Sequence, residues 1–134
     1  MEQRLLIDTN LIIYAFSAEP TPPVGEWLAQ AMRESFKVSV ITKIEFLGWR
    51  EHTEEGYAKA VELLQSAQVY GLEESVVEKT VELRRKHRIR LPDAVIAATC
   101  LVYDLTLATR NTEDFTAIQE LQLHNPFNPE GANA

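Results

Sequence analysis

Short apolar runs alternate with stretches of helical period along this chain. Leu5, Leu6 and Ile7 form a compact apolar run that stops at Asp8, the pattern of a short buried strand. Residues 9–16 then predict a helix, with Thr9 or Asn10 near its cap. Pro20, Pro22 and Pro23 mark a loop, and Pro22 or Pro23 suits the first turn of a helix reaching residue 34. Residues 37–41 alternate in polarity and read as a second strand. Helices follow over 42–51 and 54–67, then a third strand over 69–72 and a helix over 73–85. Pro92 opens another helix that runs to residue 103. Residues 105–109 and 121–124 are the fourth and fifth strands. Residues 125–134 hold Pro126, Pro129 and Gly131 and read as a loose tail after a single domain over 1–124.

Strands separated by helices predict an α/β domain with a mainly parallel sheet. Ligands of such sheets bind beyond the carboxyl ends of the strands, so chemistry is sought at that edge.

Composition narrows the class. A chain of 134 residues, 46% of them apolar, is long enough for one domain with one sizeable core. No apolar run approaches the roughly 18 residues of a membrane span, and residues 1–4 lead straight into the first strand without a signal-peptide pattern. The expectation is a soluble cytoplasmic protein. Cys100 is the single cysteine, so an internal disulfide is excluded, and its apolar helix makes it a small core hydrophobe. The net charge of −7 argues against a passive nucleic-acid binder but not against a nuclease, whose carboxylates carry negative charge themselves.

Four acids then stand out, each with a plainer local explanation beside it. Asp8 closes the first strand, where an Asx turn or helix cap also suits it. Glu45 lies two residues from Lys43, roughly 200° around the helix. Since Lys43 and Arg50 share a face seven residues apart, Glu45 is expected to point away from solvent. An ordinary surface glutamate is the alternative. Asp93 follows Pro92 at the mouth of a helix that is apolar nearly all round, where the helix dipole also favours an acid. Asp114 follows the fourth strand, where a capping pattern begun by Asn111 accounts for it equally. In combination, an α/β sheet gathers Asp8, Asp93 and Asp114 on one edge, and Glu45 starts close enough to join them. Clustered carboxylates repel one another unless a cation neutralises them. Oxygen donors suit Mg²⁺ or Mn²⁺, and His52, His87 and His124 show no spacing that suggests zinc.

The segments LLIDTNLIIY, TKIEF, LPDAVIAATC and TRNTEDF, in this order over residues 4–115, resemble the PIN-domain ribonucleases, in particular the VapC-type toxins of toxin–antitoxin pairs. The resemblance implies a three-layer PIN-like fold and a Mg²⁺-dependent endoribonuclease, with Mn²⁺ as a possible substitute. It implies Asp8 and Asp93 as principal metal ligands and Glu45 and Asp114 as the other acids of the site. Asn111 matches the residue that orients Asp114, and Thr9 or Thr109 supports by hydrogen bonding. A cognate antitoxin and a homodimer are the implied protein partners.

An RNA substrate needs positive charge nearby. Arg84, Arg85, Lys86, Arg88 and Arg90 immediately precede Asp93 and could guide a phosphate backbone into the site. A helix end enriched in cations by its dipole explains them too. Trp27 and Trp49 sit among apolar neighbours and are expected to pack in the core or between subunits rather than stack on bases. Two other classes fit less well. An aspartyl phosphatase of the haloacid dehalogenase type needs an acid where Asn10 stands. A phosphorelay receiver needs paired acids at the first strand and a lysine after the last, and neither is present.

Overall fold

A computed structural model describes residues 4–17 and 20–128. Five short strands, β1 (Leu5–Ile7), β2 (Lys37–Ser39), β3 (Gln68–Tyr70), β4 (Thr106–Ala108) and β5 (Leu123–His124), alternate with helices. The helices are α1 (Thr9–Phe16), α2 (Pro22–Glu34), α3 (Val40–Leu47), α4 (Glu54–Leu64), α5 (Glu74–Lys86) and α6 (Leu91–Tyr103), with a 3-10 turn at Thr112–Phe115. All strand pairs are parallel: β1 with β4, β4 with β5, and β2 with β3. β2 runs alongside β1 at a spacing too close for stacked sheets, which lie about 10 Å apart. The hydrogen-bonded strands form two sheets, β1-β4-β5 and β2-β3, with β2 lying beside β1.

Alternation along β1 builds the layers. Leu6 packs with Val95, Ile96 and Leu107 under α5 and α6, whereas Leu5 and Ile7 pack with Leu11, Leu28 and Phe46 under α1–α4. The result is the three-layer α/β fold expected from the sequence. Residues 94–100 of α6 are buried without interruption, as its apolar circumference requires. Cys100 is buried among them, and burial pushes its thiol well up, so it serves as packing rather than as a nucleophile. No helix among the described residues is long and apolar enough to cross a membrane.

Several boundaries shift for local reasons. The second strand stops at Ser39 rather than running to residue 41, because the Ser39 hydroxyl caps α3 by accepting from the Ile41 amide at 3.0 Å. α3 stops at Leu47, so Gly48, Trp49 and Arg50 lie outside it. Of the expected tail, residues 129–134 lie outside the described residues. Phe127 packs edge-on against Tyr14, with ring centroids 4.9 Å apart. Trp27 is half-buried and stacks on His124 at 4.9 Å, and Trp49 meets His52 edge-on. The most exposed large apolar side chains lie on later elements than α1 and α2. Ile44, Tyr57, Val77, Val81 and Leu91 are the helical examples, on α3, α4, α5 and α6.

Candidate active site

Parallel strands that all end at one edge bring their last residues together there. β1 delivers Asp8 to that edge as the N-cap of α1, and β4 delivers Thr109 beside it. Asp8 is buried and accepts hydrogen bonds from neutral donors at both carboxylate oxygens. Its Oδ1 accepts from the Thr9 amide at 2.8 Å, and its Oδ2 accepts from the Thr109 hydroxyl at 2.7 Å and the Asn10 amide at 3.2 Å. The direction of the Thr109 bond is fixed by its other partners. That hydroxyl already accepts from the Asn111 amide at 3.0 Å, so its own proton points to Asp8.

No lysine or arginine among the described residues pairs with Asp8. Burial pushes its carboxyl up to about 6, and the charges of Asp93 and Glu45 push the same way. The Thr109 and Thr9 hydrogen bonds oppose the rise without cancelling it. Asp93, in the first turn of α6, is also raised, chiefly by burial and further by Asp114 and Glu45. The Arg90 guanidinium opposes this from 3.4 Å. These mutual influences place Asp8, Glu45, Asp93 and Asp114 around one region.

Glu45 differs from the expectation. Its residue is exposed rather than turned from solvent. The face argument counted Arg50 as helical, and α3 ends before it. From this open position one carboxylate oxygen still reaches inward and accepts from the buried Thr9 hydroxyl at 2.7 Å. Asp114 is exposed on the 3-10 turn, and its amide donates to the Asn111 carbonyl at 3.2 Å. The Asn111 side chain makes no cap bond, so its link to Asp114 runs through the backbone.

Three further residues join the network. Asn10 donates to Asp8 and accepts from the Arg110 amide at 3.4 Å, tying α1 to the end of β4. The Thr42 hydroxyl lies 3.0 Å from that of Thr9. Both had a positional signal: Asn10 follows Asp8 by two residues, and Thr42 precedes Glu45 by three on one helix. Arg110 follows Thr109 directly, and its guanidinium lies over the Phe127 ring at 4.1 Å. Arg84, Arg85, Lys86, Arg88 and Arg90 are all exposed. Lys86 pairs with Glu82 at 3.2 Å, and Arg90 pairs with Asp93.

The donor set suits a hard divalent cation. It is all oxygen, negatively charged, and centred on a buried acid without a cationic partner. No three acidic, histidine or cysteine side chains among the described residues converge tightly enough to hold an ion unaided.

Comparison with known proteins gives a consistent picture. Ribonuclease VapC10 of Mycobacterium tuberculosis is 27% identical over 124 residues, which span 88% of this chain and 90% of that protein. A toxin-antitoxin complex from Klebsiella pneumoniae contains a chain that is 28% identical, with a TM-score of 0.72 over 91% of this chain and 97% of that one. A chain of FitAcB from Neisseria gonorrhoeae is 25% identical, with a TM-score of 0.77 over 92% of this chain and 98% of that one. The PIN domain model matches residues 5–121, from β1 to just before β5 and so through all four acids. With a strand-end aspartate, a buried apolar helix opened by Asp93 and parallel strands, the chain belongs to the PIN-domain family.

Proposed function

We propose that this protein is a Mg²⁺-dependent endoribonuclease and the toxin of a type II toxin–antitoxin pair. The observation that carries the nuclease reading is Asp8: a buried acid with no cationic partner among the described residues, raised to about 6 and influenced by Asp93 and Glu45. A site that raises its own carboxylates in this way is matched to a cation. The toxin reading rests on the names of its relatives, a VapC ribonuclease and chains of toxin–antitoxin complexes.

Asp8 and Asp93 are the residues that would hold Mg²⁺, and Mn²⁺ would substitute. When bound, the ion supplies Lewis acidity toward a phosphodiester oxygen and lowers the pKa of water. The chain's own groups do the rest. Thr109 and Asn10 fix the Asp8 carboxylate in one orientation. Glu45, anchored by Thr9 yet open to solvent, orients the attacking water and accepts its proton. Asp114 assists from the 3-10 turn, and Asn111 holds that turn. In-line attack on phosphorus breaks the P–O3′ bond, leaving a 5′-phosphate, and the departing 3′-oxygen takes a proton from solvent to become a 3′-hydroxyl. Arg84, Arg85, Lys86, Arg88 and Arg90 line the approach of the RNA backbone. The exposed Val77 and Val81 of α5 give a second copy an apolar contact. An antitoxin restrains the activity in the cytoplasm.

Purified protein is expected to cut RNA with Mg²⁺ or Mn²⁺, to lose the activity in EDTA, and to regain it when the ion is returned. Mg²⁺ should raise the melting temperature strongly at pH 7.5 and weakly at pH 5, because protons compete for Asp8 below about 6. Cleavage that survives EDTA, or no cleavage with either ion, refutes the reading.

A further inference from the structure

Arg110 stands out among the cations near the site because its guanidinium is seated on an aromatic ring, a contact that the exposed Arg84, Arg85 and Arg88 do not make among the described residues. Arg90 is paired with Asp93, and Lys79 and Lys86 are paired with Glu82. Arg110 makes no ion pair among the described residues, although the chain carries a net charge of −7. It is nevertheless held in place from two sides. Its backbone amide donates to Asn10 Oδ1 at 3.4 Å, and the same Asn10 donates to Asp8. Its guanidinium lies 4.1 Å from the centre of the Phe127 ring. Phe127 is itself fixed, edge-on to Tyr14 and through its amide to Asn125 Oδ1 at 2.9 Å.

An arginine stacked on an aromatic face keeps its N–H fork free for an anion and loses little rotamer freedom when one arrives. The Arg110 backbone adjoins the site, because the preceding Thr109 donates its hydroxyl proton to Asp8 at 2.7 Å and Asn10 holds the Arg110 amide. We propose that Arg110, held by Phe127, is the clamp for an RNA phosphate next to the carboxylate site. Phe127 is the positioning residue, which gives the segment after β5 a function in substrate binding. This inference rests on the ribonuclease reading and adds to it the group that receives the negatively charged backbone.

The test compares wild type with Arg110→Ala, Arg110→Lys and Phe127→Leu on an RNA that the wild-type protein cuts, across a KCl series. Arg110→Ala is expected to raise KM by about tenfold or more, the loss of one charge-assisted contact, while kcat changes little. The slope of log(kcat/KM) against log[KCl] should fall by about 0.7, one phosphate contact on a single strand. Arg110→Lys should restore the slope and part of KM. Phe127→Leu should raise KM by about two- to fivefold with the slope retained, the range of an exposed cation–π contact. An Arg110→Ala protein with wild-type KM and slope overturns the proposal. So does one that loses kcat at unchanged slope, the mark of a merely structural role. If the wild-type protein cuts no RNA, the ribonuclease reading fails, and the clamp fails with it.

Discussion

Asp8→Asn is expected to abolish RNA cleavage and to make the metal-free protein more stable at neutral pH. The first effect follows from losing one of the two ligands proposed for the ion. A Lewis-acid ion contributes several kcal/mol to the transition state, so its loss lowers the rate by about a thousandfold or more. The second effect follows from the raised pKa of Asp8. In the unfolded chain this carboxyl titrates near 3.8, and in the fold it is pushed up to about 6. Well below pH 3.8 it is protonated in both states and costs nothing. Between these values the folded state keeps a proton that the unfolded state has released, so stability falls as pH rises. Above about 6 the full cost of roughly 3 kcal/mol is present.

Asparagine carries no charge at any of these pH values. It does add an N–H₂ group opposite Asn10, where the carboxylate had accepted a hydrogen bond, at a cost of about 1–2 kcal/mol. The net gain is about 1–2 kcal/mol in EDTA at pH 7.5, a shift of several degrees in melting temperature; it vanishes at about pH 5 and reverses by about pH 4, where the charge is relieved and the cost of the misplaced N–H₂ group remains. Mg²⁺ should reverse the order by stabilising wild type alone. Thermal melts at the two pH values, with and without Mg²⁺, read all of this. An Asp8→Asn protein that cuts RNA at the wild-type rate removes Asp8 from the mechanism. One that is less stable than wild type in EDTA at pH 7.5 shows that its charge is not strained.

The second large effect is expected at Phe115. Its ring is 1% exposed and closes the core that Leu6, Ala97, Leu107 and Ile118 share. It is also the last residue of the 3-10 turn that carries Asp114. Phe115→Ala should destabilise the domain by about 3–5 kcal/mol, combining lost burial with an unfilled cavity. That is a large share of the roughly 5–15 kcal/mol that holds a domain together. The urea midpoint should drop with an unchanged slope. Cleavage should fall even where the protein stays folded, because the turn loses the ring that seats it on α6. A cost below about 1 kcal/mol with full activity would show that the core closes without Phe115 and that the turn needs no such anchor.

The acids were legible in the sequence to the degree that local pattern fixes geometry. The apolar run ending at Asp8 and the buried helix opened by Pro92 and Asp93 determine strand end and helix start by themselves, and both occur as expected. Glu45 was misplaced because one capping hydroxyl and an early stop decide where α3 begins and ends. Periodicity over 37–51 cannot weigh Ser39 as a cap against Val40 and Ile41 as strand formers. The bonds that organise the site were not legible at all. Thr109 reaches Asp8 across 101 positions, and Asn10 reaches the Arg110 amide across 100. Those distances in sequence are closed by β1 pairing with β4, and no local pattern names that pairing. Arg110 was invisible for the same reason: its significance depends on Phe127, in a segment whose composition reads as loose tail.

The most direct measurement is anomalous diffraction from crystals of this protein grown or soaked with Mn²⁺. A single strong peak bonded to the carboxylates of Asp8 and Asp93, with Glu45 and Asp114 direct or through water, is the expected result. Its absence from Asp8→Asn crystals grown in the same way would complete it. A wild-type crystal that takes up Mn²⁺ elsewhere, or shows no ion at this edge of the sheet, would contradict the metal centre on which the proposed cleavage depends.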